Sequence, residues 1–322
     1  MTKYEPILAQ PSTEQRYYAD DELDLRELFA TLWQGKWIII ATTVLFATAG
    51  VFYALSKPNI YQASALLAPT QDDGGVNGLS GQLGGLAGLA GISLGSGGNN
   101  QTVIAKEVIQ SRIFLSNFIR RHQLSVPLMA ASGWNMERQE WEYSKEIYDV
   151  TSGEWGTDES GHSVKPSDWD LVKSFRQQLS INENKENGMI TLSVSSLSPI
   201  AAAKWTELLI SDINEHMRNK DITEAEASVS YLKTKLRETN ITGMQEVFYQ
   251  LIENETRTIM LANAQKEYVF QTLDPAVVPQ ERSGPKRALI AVTATILGGI
   301  LGVFIVFIVA FLRTGKQEKE NK

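Results

Sequence analysis

Two uninterrupted apolar runs bracket this chain, and between them hydrophobic positions recur with a period of either two or three to four residues. The later run, 288–312, reads ALIAVTATILGGILGVFIVFIVAFL: twenty-five residues without a charge, with two threonines. As a helix it measures about 37 Å, enough to cross a ~30 Å hydrocarbon core with some tilt. A core helix of a soluble protein keeps polar positions on one face, and this run lacks them. The earlier run, 37–55, has nineteen residues without a charge and lies between Lys36 and Lys57. Both runs are predicted to be transmembrane helices. The long segment between them then lies on one side of a bilayer and both termini on the other.

Residues 1–20 are polar and aperiodic and read as disordered. From Asp21 the pattern turns helical, with Leu25, Leu28, Phe29 and Leu32 on one face and acids at the start, where the helix dipole favours them. This is either a short amphipathic helix at the membrane, with Trp33 and Trp37 at the interface, or an extension of the first span. Past that span, 59–70 alternates, with Tyr61, Ala63, Ala65 and Leu67 pointing one way, and predicts a strand. The stretch 74–98 holds eleven glycines in twenty-five residues, with Leu79, Leu83, Leu86, Leu89 and Ile92 every three or four positions. A flexible loop, a closely packed marginal helix and a ligand site all stay open there, although no phosphate-binding glycine motif is present.

The spacing predicts a pair of helices over 101–124, on Val103, Ile104, Val108, Ile109, Ile113, Phe114, Phe118 and Ile119. Residues 126–166 are irregular and aromatic, with Trp134, Trp141, Tyr143, Tyr148 and Trp155. Plugging a core edge is the default reading, and stacking on sugar is the alternative. Ser167-Asp168 opens a helix that runs to Leu179, and Asn187-Gly188 marks a hairpin turn into a strand over 189–195. Ser198-Pro199 is a cap followed by proline at the first helical position. The apolar stripe that follows, from Trp205, Leu208, Leu209, Ile213 and Met217 through Ala225, Val229, Leu232 and Leu236, predicts a helix of about forty residues, near 60 Å. After a break at 239–243 a second helix carries Val247, Phe248, Leu251, Ile252, Ile259 and Met260. This helical hairpin, about 199–265, is too long for its own domain to cover, so it predicts partner helices from other copies. A returning strand is predicted at 268–273, and Pro275, Pro279 and Pro285 then stiffen the approach to the second span.

Charge refines the topology. The net charge is −7, with −3 in 1–36, −6 between the spans and +2 in 313–322. No basic surface for nucleic acid is present, and the bilayer is engaged through the spans. Arg26, Lys36, Arg313, Lys316, Lys319 and Lys322 flank the spans on the terminal side, against Lys57, Arg282, Lys286 and Arg287 on the other. That excess places the termini in the cytoplasm. An acidic stretch precedes the first run, which therefore reads as an uncleaved anchor rather than a signal peptide.

Reactive groups are sparse. The chain has no cysteine and three scattered histidines, His122, His162 and His216, none with a ligand partner at i+3 or i+4. No metalloprotease, nucleophile-elbow or nucleotide motif occurs. No catalytic residue, metal or cofactor is expected, and the protein is not expected to be an enzyme. Small residues recur at four-residue spacing in both spans, Gly50 and Ala54 in the first and Ala294, Gly298 and Gly302 in the second. They are candidates for a close helix–helix contact.

Three stretches resemble one family. DELDLRELFATLWQGKWIII at 21–40, YQASALLAP at 61–69 and DPAVVPQERSGPKRALI at 274–290 are similar to the Wzz-type chain-length determinant proteins, polysaccharide co-polymerases of the Gram-negative inner membrane. The segment containing Pro275, Pro279 and Pro285 is the most specific part. The resemblance implies an α+β membrane protein, with two transmembrane helices flanking a periplasmic α/β base that carries a long projecting helical hairpin. The expected division is a cytoplasmic tail 1–36, spans 37–55 and 288–312, a periplasmic domain 56–287 and a cytoplasmic tail 313–322. It also implies a homo-oligomeric ring that controls the modal length of O antigen or a related surface polysaccharide. The ring would act on lipid-linked polysaccharide beside a membrane polymerase that does the chemistry. A related branch adds a tyrosine kinase after the second span. Ten residues follow Leu312 here, so kinase activity is not expected. Two other classes stay open: a periplasmic scaffold or adaptor for polysaccharide export, and a sensor, against which the short tails argue.

Overall fold

The computed structural model describes residues 25–70 and 97–320, and the chain divides into two compact units, Met1–Leu55 with Arg287–Lys322, and Ser56–Lys286. The readings of 1–20 as disordered and of the glycine-rich stretch over 74–96 lie outside the described residues.

The first unit consists of helices Leu25–Gln34, Lys36–Ser56 and Arg287–Glu320. Gly35 separates the first two, yet its N–H still donates to the Thr31 carbonyl and its own carbonyl accepts from Ile38 and Ile39. The amphipathic stretch is thus its own segment joined to the apolar helix by nearly unbroken hydrogen bonding. Lys36–Ser56 and Arg287–Leu312 are long and apolar enough to cross a membrane. Their threonine hydroxyls do not interrupt the apolar character, because each bonds back into its own helix. Thr42 and Thr43 donate to the Ile39 carbonyl, Thr48 to Val44, Thr293 to Leu289 and Thr295 to Ala291.

The second unit is built on a four-stranded antiparallel sheet whose strands lie in the order β6 (Leu179–Glu183), β7 (Ile190–Ser196), β1 (Tyr61–Pro69) and β8 (Phe270–Asp274). Strand β1 buries Tyr61, Ala63, Ala65 and Leu67 on alternate positions. It pairs with β7 in the register Tyr61↔Ser196 to Leu67↔Ile190. On its other edge lies β8, two residues later than the alternation predicts, with a bulge between Leu66 and Leu67. The hairpin of β6 and β7 turns through Gly188 at φ +69°, a conformation glycine adopts without strain.

Helix Asp168–Gln178 starts at a capping box, in which Ser167 and Asp170 exchange hydrogen bonds. Helix Pro199–Glu238 runs the full forty residues from the Ser198 cap, whose hydroxyl accepts from the Ala201 N–H. Its first half buries Trp205, Leu209, Ile213 and Met217 against the sheet and against helices Arg112–Arg121 and Asp168–Gln178, around a core of Phe118, Phe175, Leu192 and Phe270. Beyond Met217 only Ala225 is buried. Helix Thr242–Ala264, which packs along it, buries only Ala262. Val229, Leu232, Leu236, Phe248, Ile252 and Ile259 are half-buried in this hairpin. Val247, Leu251 and Met260, placed on the same stripe by spacing, are exposed together with Tyr231, Met244 and Tyr249.

The 101–124 pair appears as helices Gly97–Gln110 and Arg112–Arg121. Ile109, Phe114, Phe118 and Ile119 are buried, whereas Val103, Ile104 and Ile113 face out. The aromatic segment forms two small ladders, β2 (Ala131–Asn135) with β3 (Glu140–Tyr143), and β4 (Tyr148–Asp149) with β5 (Glu154–Trp155). Trp141 stacks on core residue Trp205 at 6.1 Å and meets Trp134 edge-on at 5.2 Å. The rings here cover one edge of the core.

Candidate functional site

In the first unit the two apolar helices run antiparallel in one register. Gly50 faces Ala294, Phe46 faces Gly298, Thr42 and Ile39 face Gly302, and Gly35 faces Val306. A methyl group on Gly298 would lie 2.6 Å from Phe46 Cβ, and one on Gly302 would lie 2.9 Å from Ile39 Cα. Gly50, Ala54, Gly298, Gly302 and Val306 are buried and Ala294 is half-buried. Glycine is needed because backbones this close leave no room for a Cβ. Ala54 contributes differently: its carbonyl accepts from Arg287 Nε at 3.1 Å. The sequence reading missed Gly35, Ile39, Thr42 and Phe46. Their spacing of four, three and four residues, continuing to Gly50 and Ala54, was the signal that reveals the whole face.

In the second unit the three prolines lie on the irregular segment after β8. Pro275 is exposed, and Pro279 and Pro285 are half-buried, the latter following a cis peptide bond from Gly284. The segment is tied to the start of β1: the Ile60 N–H donates to the Gly284 carbonyl at 2.9 Å, and the Ser283 N–H donates to the Ile60 carbonyl at 2.8 Å. Asn214, on the long helix and buried, clamps β8. Its Oδ1 accepts from the N–H groups of Val269 at 2.8 Å and Phe270 at 2.9 Å, and its Nδ2 donates to the Phe270 carbonyl at 3.0 Å. The side chain thus supplies what a fifth strand would.

The histidines are spread through the second unit. His122 caps helix Arg112–Arg121, packs edge-on against Phe118, and its Nε2 lies 2.9 Å from Oδ2 of buried Asp212. Arg121 bridges Asp212 at 3.6 Å and Glu215 at 2.8 Å. The hydrogen bond from Arg121 holds the Glu215 carboxyl below its ordinary range, and the same pairing raises the Arg121 guanidinium. His216 meets Phe114 edge-on at 5.6 Å, and His162 is exposed on a loop near Asp158. Among the described residues no cluster of His, Asp or Glu is arranged to hold a metal ion.

A separate cleft of about 480 Å³ is lined by Arg112, Trp169, Val172, Lys173, Arg176 and Gln177. No sequence motif marks it, because Arg112 and Trp169 come from helices brought together only by the fold.

Two family models match. The chain length determinant protein model (Wzz) covers residues 21–122, and the GNVR model, a G-rich domain on tyrosine kinases, covers residues 236–311. No curated protein matches the chain significantly. The chain is similar to a solved full-length bacterial polysaccharide co-polymerase, at 15% identity over 90% of this chain and 99% of that one, with a TM-score of 0.37. It is also similar to a fragment of WzzB, a polysaccharide co-polymerase from Salmonella Typhimurium, at 10% identity over 70% of this chain and 100% of that one, with a TM-score of 0.29. The Wzz match contains the stretches 21–40 and 61–69 and the GNVR match contains 274–290, so the chain carries a Wzz chain length determinant domain over residues 21–122 and a GNVR domain over residues 236–311, in line with the resemblance read from those stretches.

Proposed function

We propose that this protein sets the modal chain length of O antigen or a related surface polysaccharide. It does so as a non-enzymatic, homo-oligomeric co-polymerase beside a membrane polymerase that elongates lipid-linked polysaccharide. The observation that carries the reading is the chain length determinant match over residues 21–122, reinforced by the GNVR match over 236–311. The fold is consistent with such a role. Two paired apolar helices serve as a membrane anchor, and a helical hairpin with exposed Tyr231, Val247, Tyr249, Leu251 and Met260 offers apolar surface to neighbouring copies. On this reading the anchor holds the protein in the bacterial inner membrane, with 56–287 in the periplasm and 1–36 and 313–322 in the cytoplasm.

Deleting the gene and resolving surface polysaccharide on a gel tests the function. The expected result is loss of the modal band in favour of a broad spread of lengths. An unchanged ladder, or loss of surface polymer altogether, favours an export scaffold or adaptor instead. The topology has its own test. Alkaline phosphatase fused near residue 160 is expected to be active and the same reporter at Lys322 inactive, and the reverse pattern overturns the orientation.

A further inference from the structure

The cleft between helices Arg112–Arg121 and Asp168–Gln178 combines three features that nothing described so far uses. Its polar rim is cationic, with Arg112, Lys173 and Arg176, and no carboxylate lines it. Neither Arg112 nor Lys173 forms an ion pair with a described residue. The Asp170 carboxyl is held below its ordinary range chiefly by the hydrogen bonds it accepts from the Ser167 hydroxyl and N–H, with nearby Lys173 adding the smallest share, so that carboxylate is already engaged by Ser167. Asp168 is paired with Arg120. Arg176 is held in place by donating from Nε at 2.9 Å and Nη2 at 2.6 Å to the Gln110 carbonyl, which leaves further guanidinium donors free. The indole of Trp169 is 64% exposed beside these cations, above a floor of buried Val172. Three gathered cations in a segment of net charge −6 are an electrostatic exception, and holding them together is unfavourable unless an anion completes them.

We propose that this cleft binds an acidic saccharide. The pyranose ring lies on the Trp169 face, and its carboxylate or phosphate takes charge-assisted hydrogen bonds from Arg112, Lys173 and Arg176. The volume falls within the ~300–1,000 Å³ of small-ligand clefts and suits one to a few sugar rings rather than a protein segment. The flat, amphipathic indole matches the C–H face of a sugar, and the planar guanidinium groups match a carboxylate. The proposal deepens the chain-length reading by giving the polymer a chemical class, and it rests on that reading for the source of the saccharide.

The test uses the full-length protein in a neutral detergent, titrated by calorimetry with a hyaluronan hexasaccharide, which alternates uronate and neutral sugar. Controls are a neutral N-acetylglucosamine hexamer, inorganic phosphate, and vesicles containing phosphatidylglycerol. The acidic hexamer is expected to bind, and to weaken at high salt. Affinity is expected to fall at least about tenfold in Trp169→Ala and in Arg112→Gln/Lys173→Gln, while Trp169→Phe retains it. All these positions are exposed, and unchanged circular dichroism verifies folding. Equal binding of the neutral hexamer, insensitivity to the variants, binding to phosphate or vesicles alone, or a change in oligomer size in Trp169→Ala with no effect on saccharide each overturns the proposal. Failure here is separable from failure of the chain-length reading. If gene deletion alters polymer length but the cleft binds no acidic sugar, the function stands without this site. If the cleft binds and polymer length is unaffected by deletion, the site stands without the function.

Discussion

Replacing Asn214 by leucine is expected to destabilise the Ser56–Lys286 unit by about 3–6 kcal/mol. Leucine keeps the volume but removes one donor and one acceptor. It strands the N–H groups of Val269 and Phe270 and the carbonyl of Phe270, all of which bond to Asn214 in the native fold. Phe270 is fully buried and Asn214 nearly so, so water cannot replace the lost partners without opening the edge of the sheet. Among the described residues no further strand pairs with the outer edge of β8, where the sheet order ends. Urea denaturation of the full-length protein in mild detergent reads the effect as a lower midpoint. A loss under about 1 kcal/mol shows that the clamp is dispensable, because that is the size of one ordinary hydrogen bond.

The paired substitution Gly298→Leu/Gly302→Leu is expected to force the two apolar helices apart. Any Cβ at these positions meets Phe46 Cβ, the Thr42 side chain and Ile39 Cα at distances that real contacts do not reach, and much of that obstruction is backbone. Contacts between membrane helices are worth on the order of 1 kcal/mol, too little to absorb such an overlap. Because the natural chain has no cysteine, an engineered pair reports the separation cleanly. Thr43 and Gly299 sit opposite each other, with 3.7 Å between the Thr43 hydroxyl and a Cβ built on Gly299, so Thr43→Cys/Gly299→Cys is expected to cross-link on oxidation. In the leucine background the cross-link is expected to be lost while the protein still inserts. If this helix face also transmits length control, the polysaccharide distribution shifts in the same variant. Retained cross-linking contradicts the register, and an unchanged distribution with the cross-link lost confines the face to a structural role.

Much of the fold was legible in the chain because the relevant signals are local. The alternation in YQASALLAP places Tyr61, Ala63, Ala65 and Leu67 on one side of β1 whatever that strand pairs with. Ser198-Pro199 starts the long helix by chemistry within four residues, and the uninterrupted stripe carries it to Glu238. The two charge-free runs declare apolar helices by length alone. The small residues Gly50, Ala54, Ala294, Gly298 and Gly302 were legible by spacing, but spacing cannot say which residue faces which.

What the tertiary structure alone decided depends on groups distant in sequence. That β1 lies between β7 and β8 follows from pairing across more than a hundred residues, to which no local pattern is sensitive. Asn214 looks like an ordinary polar residue within an apolar stripe. Only the position of β8 against the helix makes it a clamp. Val247, Leu251 and Met260 share an apolar spacing with half-buried neighbours. Their exposure is set by the partner helix, which is too narrow to cover the whole stripe. The cleft of Arg112, Trp169, Lys173 and Arg176 joins a helix start to a helix fifty-seven positions later, through the carbonyl of Gln110 that anchors Arg176. Helical and strand periodicity is written in the order of the residues. Which charges and rings end up side by side is decided by packing, when buried surface is gained by bringing remote segments together.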